Sequence, residues 1–217
     1  MKTIDKKNRK IIVILFAVFA FALFSCNNDD SSITPSPSET GTWKDERDGN
    51  EYGWVKYGDL EWTTSNMRFH SGIGTVMPDT TSVTQGLYDD GIAAKYFKTF
   101  GFLYDFEAAQ AAVPEGWRLP TVDDWQELEQ ITHGDVASAI NLSLGGYYLI
   151  DTYFQQLHKL DYYTYVYGFY WTSTIDNTKA TDNFAFYNKI TYNSKDIECN
   201  SMIKSNYLSV RLVRDAK

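Results

Sequence analysis

Three groups of side chains in this sequence have types that can do chemistry: the histidines His70, His133 and His158, the cysteines Cys26 and Cys199, and the acids and tyrosines of the C-terminal half. A zinc site needs His or Cys ligands at short spacing, and no two histidines stand that way. His133 precedes Gly134 at a helix end, where an imidazole complements the dipole. A Gly-x-Ser-x-Gly elbow is absent, and no histidine lies near Cys199 along the chain. Asp176, Asp182, Asp196 and Glu198 carry oxygens that suit a hard cation, but acids scattered through turns are ordinarily solvated. The expectation is no catalytic residue, no metal and no cofactor.

The tyrosines are the better candidates. Asp161 to Thr174, DYYTYVYGFYWTST, has the densest aromatic content of the chain and the composition of a strand. Rings edged with hydroxyls can stack on sugars, so Tyr162, Tyr163, Tyr165, Tyr167 and Tyr170 are the candidate ligand-binding residues. Strand alternation sends Tyr163, Tyr165, Tyr167 and Phe169 to one face and Tyr162, Thr164, Val166 and Gly168 to the other, and core packing is the ordinary use of one of those faces.

The elements that must position such residues are organised around Pro114 to Leu128, PEGWRLPTVDDWQEL. Pro114, Glu115 and Gly116 make a turn, and Pro120 ends the extended piece Trp117–Leu119. Thr121 caps a helix with Asp124 as its reciprocal partner, and Asp123 and Asp124 suit the positive end of that helix. Val122, Trp125, Leu128 and Ile131 form its apolar face, predicting a helix from Val122 to about Thr132. Arg118, inside an apolar turn, is expected to fork onto a carboxylate such as Asp215 or Asp48. Trp62, Trp117, Trp125 and Trp171 are expected in the core.

Around this centre, Tyr52 to Trp62 reads as two strands joined by Gly58 and Asp59, and His70 to Gly91 as a long loop. Phe102 to Val113 reads as a helix ended by Pro114. Val136 to Leu144 could be a short helix or a loop, and Tyr147 to Leu160 either strand or helix. Asn183–Tyr192 and Ser209–Arg214 read as strands, the last alternating Val210 and Leu212 with Arg211 and Arg214. Two helices near the middle with antiparallel strands on both sides predict an α+β class.

The N-terminus carries an address. Five basic side chains within residues 1–10 precede the apolar run IIVILFAVFAFALF, which is shorter than the roughly 20 residues of a membrane span. Leu23, Phe24, Ser25 and Cys26 resemble a lipoprotein cleavage box. Residues 1–25 therefore read as a signal peptide, and Cys26 as the lipidated residue that anchors the protein to a membrane. Residues 26–42 read as the lipidated cysteine and a Ser-, Pro- and acid-rich tether, and 43–217 as one folded domain. The chain has 20 basic and 28 acidic side chains; without residues 1–25, which hold five and one of these, about −12 remains of a formal −8. That balance argues against a nucleic-acid partner. With Cys26 acylated, Cys199 has no intrachain partner, so stability must come from packing.

GWRLPT followed by Trp125 and Leu128 resembles the signature of the Fibrobacter succinogenes major paralogous domain, a family of secreted and surface proteins of Bacteroidetes-type bacteria. DERDGNEYGWVKYGDLEWTTSNMR resembles its opening segment, with Asp48, Gly49, Asn50, Tyr52, Val55, Gly58, Trp62 and Asn66 in place. YWTST (Tyr170–Thr174) and SVRLVRD (Ser209–Asp215) resemble its closing motifs, so the likeness spans about Trp43 to the C-terminus. Asp29 and Asp30 after Cys26 resemble an export signal to the outer face of the outer membrane. The family is similar in turn to C-type-lectin-like domains, which include formylglycine-generating enzymes, and this implies a single C-type-lectin-like domain. Formylglycine-generating relatives hold copper with two cysteines, which this chain lacks once Cys26 is acylated. The Glu-Pro-Asn, Gln-Pro-Asp and Trp-Asn-Asp triplets of calcium-dependent lectins are also missing. The resulting expectation is a cell-surface, outer-membrane lipoprotein with a non-catalytic binding domain for a glycan or a surface protein. The alternatives are a carbohydrate-binding module of an adhesion or uptake system and an enzyme on the formylglycine-generating scaffold with its site in the His70–Gly91 loop and the strand ends.

Overall fold

The computed structural model describes residues 34–76, 95, 97–147, 149–151, 156–158 and 166–217, all within one compact unit, Ser31–Lys217. Strands β1 (Glu39–Lys44), β2 (Glu51–Tyr57) and β3 (Leu60–Thr63) form a meander that the last strand, β11 (Val213–Asp215), completes in the order β1-β2-β3-β11. The β2–β3 turn is the expected Gly58–Asp59 pair, with Tyr57 opposite Leu60 and Gly58 at φ +57, a conformation glycine adopts without strain. Strands β8 (Tyr167–Ile175), β9 (Phe184–Thr191) and β10 (Ile197–Ile203) form a second antiparallel sheet, in the order β10-β9-β8. Two small antiparallel pairs join β4 (Thr75–Val76) to β5 (Leu103–Tyr104) and β6 (Leu149–Asp151) to β7 (Gln156–His158).

The helices are short. α1 spans Phe106–Ala111, α2 spans Val122–Ile131 and α3 spans Val136–Ala139. α2 has the expected capping box: Thr121 Oγ1 accepts from the Asp124 N–H at 3.0 Å, and Asp124 accepts from the Thr121 N–H at 2.6 Å. It ends where His133 (φ 53) and Gly134 (φ 84) turn left-handed, the Gly134 N–H donating to Glu129 O. Trp125 and Leu128 face inward at 2% and 1% exposure.

Three expectations are corrected, and one strand is added. The helix expected over Phe102–Val113 is α1 alone, because Leu103 and Tyr104 are taken by sheet pairing and Asp105 caps the helix by accepting from the Ala108 N–H. The tether expected through residue 42 ends earlier: β1 pairs with β2 over six residues, and the Tyr57 hydroxyl donates to Pro35 O. The strand expected over Ser209–Arg214 is laddered only at Val213–Asp215, with Leu208 and Ser209 making single bridges. Strand β10 carries no strong alternation in its sequence, IECNSMI, and was not anticipated.

Two apolar clusters fill the interior. Trp62, Trp125, Tyr170, Leu128 and Val213 meet under α2, while Trp171, Phe106, Tyr104, Leu208 and Trp117 meet under α1. Trp62, Trp117, Trp125 and Trp171 are 1%, 7%, 2% and 0% exposed, as expected of core markers. Edge-to-face contacts of Trp62 on Trp125 (4.9 Å) and Phe106 on Trp171 (5.5 Å) give these clusters fixed geometry.

Candidate functional site

The Trp117–Thr121 turn is a junction. Arg118 exchanges both main-chain hydrogen bonds with Val213 (2.8 and 3.0 Å), which attaches the turn to the β11 edge. Its guanidinium forks onto neither Asp215 nor Asp48 but onto Asp124, at 2.5 and 2.9 Å. The short loop brings the first turn of α2 back over Arg118, nearer than either expected partner. Burial pushes the Asp124 carboxyl up, but Arg118 and the Thr121 N–H together hold it below the usual carboxylate range. On the far side, Pro120 O accepts from the Ser173 N–H, and the Val122 N–H donates to Thr174 Oγ1. A register shift in β8 between Trp171 and Ile175 frees residues 172–174 for these contacts.

A second junction was not foreseen. Arg211, expected to alternate with core residues, is itself only 1% exposed. Its Nε donates to Asn66 Oδ1 (2.8 Å), Nη1 to Thr63 O and Ile140 O (both 2.8 Å), and Nη2 to Asn141 O (2.6 Å). Asn66 in turn donates to Phe100 O (2.8 Å), Ser143 Oγ (3.0 Å) and Ser209 Oγ (3.1 Å). Burial draws the Arg211 guanidinium down to about 10, still well above neutral pH, so the residue is a buried cation among carbonyl oxygens. Strand alternation cannot reveal it, because Arg211 precedes the β11 ladder, where the period of two does not apply. A cleft of about 490 Å³ opens beside it, lined by Thr64, Ser65, Lys98, Thr99, Asn141 and Ser143 among others.

The tyrosine candidates divide. Tyr162, Tyr163 and Tyr165 lie outside the described residues, as do Cys26 and the signal peptide. Tyr170 is corrected: it is 0% exposed, and its hydroxyl accepts from the Ser143 N–H and donates to Ser143 O, so it is a core residue. Its parity in β8 directs it under α2, towards Trp125 at 6.0 Å. Tyr167 has the other parity and is half-buried in a cluster with Phe169 (6.1 Å). Tyr147 and Tyr187 complete that cluster at 4.3 and 5.7 Å from Phe169, both half-buried, with burial pushing the Tyr187 hydroxyl up. Lys189 lies over the Tyr167 ring at 4.9 Å and pairs with Glu198 at 3.1 Å, giving the aromatic face a charged edge. Tyr147 and Tyr187 carried no signal of their own in the sequence, since only pairing with β8 assembles them.

Of the candidate cation ligands, Asp176 is 2% exposed and accepts from Thr178 Oγ1 (2.6 Å) and Ser201 Oγ (2.5 Å), bonds that hold its carboxyl low. No group of three metal-ligating side chains is assembled among the described residues.

These features define a β-rich α+β domain whose sequence motifs act as clamps between its first and last strands. Residues 55–146 match the model of the Fibrobacter succinogenes major domain, so this stretch of the chain carries a domain of that family. The match ends before YWTST and SVRLVRD, although both are bonded into the matched region through Thr174, Val213 and Arg211. No curated protein and no solved structure matches the chain.

Proposed function

We propose that the protein is a lipoprotein held at the outer membrane through Cys26, displaying a C-type-lectin-like domain that binds a ligand rather than transforming one. The lectin-like assignment is supported by the GWRLPT turn standing ahead of a capped helix in an α+β domain, as the family resemblance implied. The observation that carries the binding role is the half-buried aromatic face of Tyr147, Tyr167 and Tyr187 around Phe169, edged by Lys189 and Glu198. Apolar ring faces beside hydroxyls and a charged pair suit the alternating apolar and polar surfaces of a sugar, which makes a glycan the favoured ligand class.

The test is binding of Ser31–Lys217 to a panel of glycans and polysaccharides, with and without calcium. Saturable binding that calcium leaves unchanged and that Tyr187→Ala abolishes is the expected result. Binding that survives Tyr187→Ala would remove the aromatic face from the account, and no binding at all would refute the glycan. The anchor is tested separately: the Cys26→Ala chain is expected to leave the membrane fraction on alkaline washing, and its retention would refute lipid attachment.

A further inference from the structure

The second sheet has two edges, and they are treated differently. The β8 edge is occupied, because Gly168 bridges to Gly146 and Tyr170 to Ser209. At the other edge no described strand flanks β10. Glu198, Cys199 and Asn200 are consecutive and all exposed, so β10 is open on both faces at its middle, where a covered strand would hide one parity.

The direction of the free groups follows from the ladder. The Lys204 N–H donates to Asn183 O at 2.8 Å, one step beyond the Ile203–Phe184 pair. Antiparallel pairing alternates, so Glu198, Asn200 and Met202 turn their main-chain groups to β9, while Ile197, Cys199, Ser201 and Ile203 turn theirs outward. Natural edges of this length are usually blunted by lysine, proline or a bulge. The sequence IECNSMI has no lysine or proline, its ladder to β9 is unbroken, and its one charge, Glu198, is engaged by Lys189 of the neighbouring strand.

We propose that this edge is an interaction surface for a second copy of the chain, β10 pairing with β10 antiparallel about a two-fold axis at Asn200. This register pairs all seven residues, sets Ile197 against Ile203 of the other copy and Cys199 against Ser201, and opposes no like charges. A register axis at Glu198 would set two glutamates face to face. The paired area is small, so the association is weak for chains free in solution and is favoured where anchoring concentrates them on one surface. It is independent of the ligand proposed above.

Disulfide trapping in the full-length chain, in the membranes of the cells that make it, tests the pairing. At the axis, the two copies of residue 200 form a non-hydrogen-bonded pair with Cα atoms about 4.5 Å apart, within the roughly 4.4–6.8 Å span of a disulfide. In a Cys199→Ser background, Asn200→Cys is oxidised with diamide; two thiols give two protons and two electrons to the diazene, which becomes the hydrazine. Cys199→Ser alone controls for Cys26. The expected result is a covalent dimer forming about tenfold faster than from Tyr192→Cys, a position exposed to 62% but off the edge. Cys199→Pro removes an outward N–H without touching the ladder to β9, and combined with Asn200→Cys it is expected to abolish trapping at an unchanged unfolding midpoint. Should proline perturb the strand, Cys199→Lys leaves every main-chain group in place and is expected to slow trapping by charge repulsion. Trapping of Asn200→Cys no faster than Tyr192→Cys, faster trapping through native Cys199, or trapping indifferent to both edge variants would each overturn the proposal.

Discussion

Replacing Arg211 with methionine separates two accounts of a buried cation. Four acceptors depend on it: Asn66 Oδ1 and the carbonyls of Thr63, Ile140 and Asn141. Each acceptor left unpaired in the interior costs about 1–3 kcal/mol, so their loss totals roughly 4–12 kcal/mol before any relief. Relief comes from two sources: the desolvation of a full charge disappears, and water can reach Asn141 from the neighbouring cleft. The lower end, about 4 kcal/mol, is therefore expected, a large share of the 5–15 kcal/mol typical of a domain. Arg211→Lys keeps the charge but offers three donors from one point, and is expected to cost about 1–3 kcal/mol. Urea unfolding of Ser31–Lys217, followed by tryptophan fluorescence, reads both. With a slope of about 2 kcal/mol/M the midpoint falls by about 2 M for methionine and by about 1 M for lysine. A methionine variant as stable as the parent would refute the reasoning, because desolvation of the guanidinium would then outweigh its bonds and Arg211 would be tolerated rather than required.

Other substitutions test the remaining contacts. Asp124 titrates below its ordinary value in the fold, so its contribution is present above the unfolded carboxylate range near pH 4 and is lost as pH falls through the lower folded value. Asp124→Asn is accordingly expected to flatten the acid limb of a stability-against-pH curve, and an unchanged acid limb would refute the fork's role. Asp105 is the opposite case: burial and the nearby Glu107 raise its carboxyl, so its ionisation disfavours the fold as pH rises through the raised folded value. Asp105→Asn keeps the cap to Ala108 and is expected to raise the unfolding midpoint at neutral pH, with the gain shrinking below pH 4. Two buried tryptophans differ in one bond, since Trp171 Nε1 donates to Tyr104 O at 2.8 Å whereas Trp125 Nε1 has no partner among the described residues. Trp171→Phe is expected to cost about 1 kcal/mol more than Trp125→Phe in the same unfolding assay, and equal costs would refute that bond's contribution.

What was legible in the sequence was what local chemistry decides. Thr121 and Asp124 at capping-box spacing, Gly58–Asp59 between alternating apolar residues, and Gly134 after a three-residue apolar period each specify a conformation within a few residues, and each appears in the structure. The misreadings share a different cause. Leu103 and Tyr104 have an apolar pattern that suits a helix, yet long-range pairing to Thr75–Val76 and Leu208 claims them. Arg118 finds its partner six residues on rather than among acids distant in sequence, because the hairpin-like return of the capped helix is invisible to spacing alone. Tyr170 resembled its neighbours in type, and only its parity in β8 sends it inward.

The same contrast explains why the motifs located a scaffold and the candidate surface had to be found elsewhere. Tryptophans, Arg118 and Asn66 stand out because packing and fully satisfied hydrogen bonds demand particular residues, and here those demands tie the ends of the chain together. Trp117 illustrates the point: Trp43 packs on it at 5.2 Å, Arg214 lies 4.4 Å from its ring, and Arg214 is itself held by Glu61 at 2.5 Å, so residues from β1 and β11 meet on one side chain of the turn and β3 fixes one of them. A ligand has no access to a side chain so enclosed. On the proposed binding role, recognition falls to side chains the clamps leave half-exposed, of which Tyr167 and Tyr187 are the examples on the second sheet, because such positions can change without breaking the clamps.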